Sequence, residues 1–322
     1  MTTTLTARSP EDLLAAVPVV LGFRPSESLV MLTFGGRHTF HARVDLPEPD
    51  DPARVLREVA EALLEPALQQ EVDHVAFVAY TGHARLAARL GRCLVPVFSR
   101  AGVGVIDVLR AHEGCWASVP SRPKQRELPP QPYDDLSHPF AAQAVFAGRV
   151  THPTRDDLRR LLAPQPDVRN RVDQARVALP PVGPDELGWM LDALVCCVTE
   201  RRAPSDDEAA RLLRAATVVE LRDAALYAVG ASPEEHLDLW SALLRAASDA
   251  EVPDVAALTA FCAWRSGCGA LAWCALDRCF EVDPCHGLGL ALAECLVRAL
   301  PPALWNERGP DPEDKDDELD TA

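Results

Sequence analysis

Ser9–Pro47 reads SPEDLLAAVPVVLGFRPSESLVMLTFGGRHTFHARVDLP, and the fold is decided there. Ser9 stands where a helix N-cap belongs, with Pro10 at the first helical position and Asp12 at the third. Leu13, Leu14, Val17 and Leu21 recur at helical spacing and give one apolar face. Pro18 is expected to kink that helix or end it early, and Gly22 suits a C-cap. Ser26, Glu27 and Ser28 read as turn residues before a strand over Ser28–Phe34, whose Leu29–Leu32 core is an unbroken apolar run. Gly35-Gly36 signals a two-residue hairpin. The returning strand, His38–Leu46, alternates. Phe40, Ala42, Val44 and Leu46 point one way; His41, Arg43 and Asp45 point the other.

Working outward, the spacing predicts a helix from Pro52 to Gln69, a buried strand over Asp73–Tyr80, a helix over His83–Arg100, a strand over Val103–Ala111 and a short strand over Cys115–Val119. Strands reached through crossover helices give a mixed sheet of four or five strands with helices packed on it. Five prolines between Pro120 and Tyr133 then rule out a packed core. Strand signals stop there. Helices are expected at 139–147, 154–162, 167–178, 185–201, 205–229, 232–247, 255–265, 269–282 and 286–300, with capping boxes at Ser205 and Ser232. The fold class is therefore α+β or α/β: an N-terminal mixed sheet with packed helices, then an all-α domain of helical hairpins. The expected division is a sheet domain at 1–119, a Pro-rich linker or long loop at 120–136, a helical domain at 137–305 and a disordered acidic tail at 306–322. Ala272, Leu276, Cys279 and Pro284 resemble the second helix of one tetratricopeptide unit, but no 34-residue repeat precedes them.

Composition narrows the function classes. The 322-residue chain is 48% apolar, ample for real cores, and its formal net charge of −16 disfavours binding to a phosphate backbone. Arg155, Arg159, Arg160, Arg169 and Arg171 form a candidate local basic patch. The opening MTTTLTARSP lacks a signal-peptide pattern, and no apolar run approaches the roughly 20 residues that span a bilayer. A cytoplasmic protein without membrane attachment is expected. Ten cysteines, six of them between Cys262 and Cys295, include no C-x₂-C or C-x₃-C pair. They are read as fillers of small apolar slots, with no metal and no cofactor expected.

Ser9-Pro10 through Pro18, Leu21–Pro25, Ser28–Val30 and Ala42–Pro47, together with Ala263–Arg265, Gly269–Ala272 and Asp283-Pro284, resemble an uncharacterised domain-of-unknown-function family of high-GC Gram-positive (actinobacterial) bacteria. The resemblance spans most of the chain and implies no reaction. Family members often carry acids after the Tyr-Thr that matches Tyr80-Thr81, where this chain has Gly82-His83. Many also carry a cysteine-proline cluster after the residue matching Trp116, where Ser118–Arg126 has no cysteine.

Ligands of α/β sheets bind beyond the carboxyl ends of strands. The candidate ligand rim is accordingly Arg43, Asp45, Tyr80, His83 and Trp116, with His112-Glu113 at the neighbouring hairpin. Arg43 and Asp45 share a strand face and could pair or hold opposite charges of one substrate. His83 beside an acid could carry a proton. No phosphate-binding loop, nucleophile elbow or H-E-x-x-H motif occurs. The favoured reading is a non-enzymatic binding or scaffold protein with an unidentified protein partner. The alternative is a small-molecule enzyme or sensor using the rim.

Overall fold

A computed structural model of the chain describes residues 6–120 and 129–307. The opening residues 1–5, most of the Pro-rich stretch (121–128) and the acidic tail from 308 lie outside the described residues.

Helix α1 (Pro10–Leu21) starts on a reciprocal capping box. The Ser9 hydroxyl accepts from the Asp12 amide at 3.2 Å and the Asp12 carboxylate accepts from the Ser9 amide at 3.0 Å. Pro18 neither ends the helix nor shortens it. Its missing N–H removes a single ladder bond near the C-terminal end, and the buried Leu13, Leu14 and Val17 hold the helix on the sheet. Gly22, at φ +77°, then takes the left-handed cap position that favours glycine, and its amide donates to the Pro18 carbonyl.

The sheet contains β1 (Ser28–Phe34), β2 (His41–Asp45), β3 (His74–Tyr80), β4 (Gly104–His112), β5 (Cys115–Ser118) and β6 (Gln131–Pro132), in the order β2-β1-β3-β4-β5-β6. Only β3 and β4 run parallel; the other neighbours are antiparallel. It is mixed, as the patterning requires, but has six strands. The sixth pairs two residues with β5 inside the Pro-rich stretch, with Pro132 at the sheet edge, where an absent N–H costs least. The β1–β2 connection is also longer than a two-residue turn. Residues 35–40 join the strands, because Gly35 and Gly36 lie against the end of the following helix and Arg37 donates to the Gln70 carbonyl.

Crossover helices α2 (Ala53–Gln69) and α3 (Ala84–Arg100) cover one face of the sheet. Leu56, Leu63, Leu90 and Phe98 meet Leu29, Met31, Phe77 and Val108, and Phe98 packs edge-to-face on Phe77 at 5.0 Å. Phe40, Ala42, Val44 and Leu46 join this layer, as their alternation predicts. The opposite face packs against α1 through Val30, Leu32, Val78, Leu109 and Trp116. Both faces of β1 and β3 are thus dry, and their sequences read as continuous apolar runs for that reason.

Beyond the sheet come α4 (Pro139–Phe146), α5 (Arg155–Leu161), α6 (Pro166–Arg176), α7 (Glu186–Thr199), α8 (Asp206–Ala216), α9 (Val219–Ala228), α10 (Pro233–Ala246), α11 (Val252–Arg265), α12 (Gly269–Val282), α13 (Gly287–Val297) and α14 (Ala303–Glu307). The single helix expected over 205–229 is two, broken at Thr217-Val218. Ser205 forms its capping box with Glu208, whereas Ser232 makes no side-chain cap. One continuous core fills this half, centred on the fully buried Trp240 and on α11, which is buried on nearly every side. Cys197, Cys262, Cys274 and Cys279 are buried in that core, and burial pushes the Cys279 thiol up to about 12. Cys268 and Cys285 are instead exposed. No described helix is long and apolar enough to cross a membrane.

The two halves share hydrophobic contacts. Phe23, the residue after the α1 cap, is buried in the helical core. Its neighbours add a short bridge: the Arg24 amide donates to the His152 carbonyl and the His152 amide to Gly22, at 3.0 and 2.8 Å. Phe140 of α4 packs on Ala15 and Ala16 of α1.

Candidate functional site

Parallel strands β3 and β4 end side by side, Tyr80 opposite Ala111, and the Thr81 amide donates to the Ala111 carbonyl. β1 runs the other way, so its entry segment Ser26–Glu27 reaches the same end of the sheet. The Gly22–Pro25 turn comes over the top from α1, and Tyr133–Asp135 comes from beyond β6. Together they enclose a cleft of about 300 Å³.

Thr81 is the buried pivot of one wall. Its hydroxyl donates to Glu27 Oε2 at 2.9 Å and accepts from the His83 amide at 3.1 Å. Gly82 leaves room for the His112 ring, which a Cβ at that position would meet at 3.1 Å. Opposite, Asp135 Oδ2 meets Arg24 Nε at 2.9 Å, tying the chain after β6 to the turn before β1. Tyr80 and Tyr133 supply the aromatic surface. Neither phenol oxygen has a hydrogen-bond partner among the described residues. Burial, reinforced by the Asp135 charge, raises the Tyr133 phenol to about 12 and pushes the Tyr80 phenol well above its ordinary value, so both are neutral at physiological pH. The charged lining is Glu27, Glu113, Asp135 and Arg24, with His112 Nε2 3.8 Å from Glu113.

Two cleft residues hold strained backbone. Glu27 (φ +40°) and Glu113 (φ +47°) are non-glycine residues in the left-handed region. Glu113 with Gly114 (φ +70°) forms the two-residue β4–β5 turn, a geometry that favours Asn-Gly. Glu113→Asn is therefore expected to raise stability by about 0.5–1 kcal/mol. A thermal melt checks this, and a lowered midpoint would contradict it.

A second concavity, of about 320 Å³, lies between the end of α7 and the start of α10. Its guanidiniums are already engaged, Arg201 with Glu235 and Arg202 with both carboxylate oxygens of Glu208. The local basic cluster is likewise neutralised: Arg155 and Arg159 meet Asp277, Arg160 meets Asp157, Arg169 meets Asp249 and Arg171 meets Asp206. No group of three or more His, Cys, Asp or Glu side chains among the described residues is arranged to hold a metal ion.

A family model described as "Domain of unknown function (DUF4192)" matches residues 10–303, from the first residue of α1 into α14. The chain belongs to the DUF4192 family. No curated protein and no solved structure matches it. The matched span of this DUF4192 chain includes every wall of the cleft, from Pro18 to Asp135.

Of the five rim candidates, Tyr80 lines the cleft. Arg43 lies one strand outward and is spent locally: Nε and Nη2 donate to the Ser28 hydroxyl at 2.9 and 2.6 Å, and Nη2 meets Asp45 at 2.6 Å. His83 is exposed at the start of α3 and contributes only its amide, to Thr81. Trp116 is in the core beneath α1, its indole nitrogen without a partner among the described residues. The hairpin pair His112-Glu113 does reach the cleft. Arg24, Glu27, Tyr133 and Asp135 of the DUF4192 site were not singled out by sequence. Glu27 looked like a turn residue, and the one usable signal for Tyr133 was a lone aromatic closing a Pro-rich stretch.

Proposed function

We propose that this protein binds a small polar organic molecule in the cleft beyond β3 and β4, acting as a sensor or carrier. The observation that carries the reading is a concavity at the carboxyl ends of parallel strands, lined by two tyrosines whose neutral phenols have no hydrogen-bond partner among the described residues. Polar groups left open beside apolar ring surface are what a ligand satisfies on binding. The volume equals that of about ten water molecules, a metabolite-sized space. In this reading residues 1–119 with Tyr133 and Asp135 form the ligand-bearing unit, and the helices from 137 to 305 brace it. The cleft favours the small-molecule alternative over a docking scaffold.

A panel of small polar fragments, cationic, anionic and neutral, tests this by ligand-observed saturation-transfer NMR on the full chain. Binders are expected to lose their signal in Tyr133→Ala. They should also raise the wild-type melting point, by about 2.7 kcal/mol of stabilisation at a hundredfold excess over Kd. If no fragment binds, or if binding ignores Tyr133→Ala, the reading is wrong.

A further inference from the structure

We propose that the cleft selects ligands with a positive charge, an ammonium or guanidinium group on a small aromatic or aliphatic body. The inference rests on the cleft being the ligand site and adds the chemical class of its occupant.

Acidic side chains outnumber basic ones in the described lining of the cleft. Arg24 is the one guanidinium in the lining among the described residues, and Asp135 occupies it at 2.9 Å. Glu27 and Glu113 remain. The Glu27 carboxylate receives only the neutral Thr81 hydroxyl, at 2.9 Å, and Glu113 faces only the His112 ring, at 3.8 Å. Neither has an Arg or Lys partner among the described residues. An incoming anion would meet two unmatched carboxylates and, among the described residues, no guanidinium or ammonium free to pair with it. An incoming cation would neutralise them.

The remaining lining suits the same ligand. Tyr80 and Tyr133 are in the lining; aromatic rings attract cations through the quadrupole, and phenol oxygens accept from N–H donors. Burial keeps both phenols neutral, so they add no competing charge of their own. The net charge of −16 draws cations toward the chain at low ionic strength.

Matched probes separate charge from shape. Tyramine, 4-ethylphenol and 4-hydroxyphenylacetate share a ring and differ in charge; agmatine supplies a guanidinium on an aliphatic body. Each is titrated calorimetrically into the full chain at low and high NaCl, and into Glu27→Gln, Glu113→Asn and Tyr133→Ala. Gln at 27 can still accept from Thr81, and Asn suits the turn at 113, so both variants are expected to fold; melts verify this.

Tyramine and agmatine are expected to bind about tenfold or more tighter than 4-hydroxyphenylacetate, to weaken several-fold in each acid variant and to weaken further in salt. The charge inference is overturned if the anion binds as well as tyramine, or if folded Glu27→Gln and Glu113→Asn bind both cations unchanged. Such a result leaves the cleft reading standing wherever binding still depends on Tyr133. If no probe of any charge binds, the cleft reading fails and the charge inference fails with it.

Discussion

Replacing Phe23 by alanine lowers stability by about 3–5 kcal/mol and disables the cleft at the same time. Phe23 follows the Gly22 cap, is only 2% exposed and is buried in the helical core although the chain on either side of it belongs to the sheet half. Truncation removes ring burial and leaves a cavity in the helical core. The turn it anchors carries Arg24, Pro25, Ser26 and Glu27, all of which line the cleft. The His152 bridge on its backbone is too small to hold that turn alone. Urea unfolding followed by tryptophan fluorescence and by far-ultraviolet circular dichroism checks the stability. Five of the six tryptophans, at 189, 240, 264, 273 and 305, are on helices beyond residue 137, so fluorescence weights that half. The two probes are expected to coincide in the wild type and to separate in Phe23→Ala, because the shared core is what makes the halves unfold together. A loss below about 1 kcal/mol with coincident transitions would show that Phe23 does not couple them.

Local signals in the sequence led to the right elements wherever the deciding partner was near in the chain. Ser9 and Asp12 cap α1 reciprocally, and a spacing of three residues is visible without a fold. β1 and β3 are continuous apolar runs because both their faces are covered. The errors arise where a distant contact decides. Gly35 and Gly36 read as a tight hairpin until Gln70 and its neighbours are packed beside them. Ser232 has capping chemistry, but its backbone (φ −117°, ψ 53°) is not the extended one that a cap uses.

The site follows the same rule. Tyr80 and His112-Glu113 were legible because strand ends can be read from periodicity and because ligands favour such ends. Arg43 and Asp45 looked available because alternation places them on one face. Ser28, paired across from Asp45, takes the Arg43 guanidinium, and sequence gives no sign of it. Asp135 meets Arg24 across 111 residues of chain, and nothing local to either residue announces the other. A cleft assembled from four separate segments is visible only when the sheet order is known.

Glu186 carries the second large effect, and it lies far from the cleft. Its side chain is 3% exposed, and its oxygens accept from Arg211 Nε and Nη2 at 3.0 and 2.9 Å, with Arg214 3.6 Å away. The Arg211 guanidinium also sits 3.8 Å over the Trp189 ring, so α7 and α8 are joined by one charged cluster. Glu186→Gln leaves two arginines without a counter-charge and is expected to cost about 3 kcal/mol at pH 7. Hydrogen bonds from Arg211 hold this carboxyl below its ordinary range against the opposing effect of burial. The folded pKa is therefore lower than the unfolded one, and between the two values the unfolded chain binds more protons. The Glu186 contribution is complete above the ordinary glutamate pKa of about 4.3 and disappears as pH falls through the folded value. Urea midpoints of wild type and Glu186→Gln should accordingly differ most at neutral pH and converge in acid. A gap that stays constant from neutral pH into strong acid would assign the loss to packing in place of the ion pair, and a gap near zero at pH 7 would mean that solvent already screens the cluster.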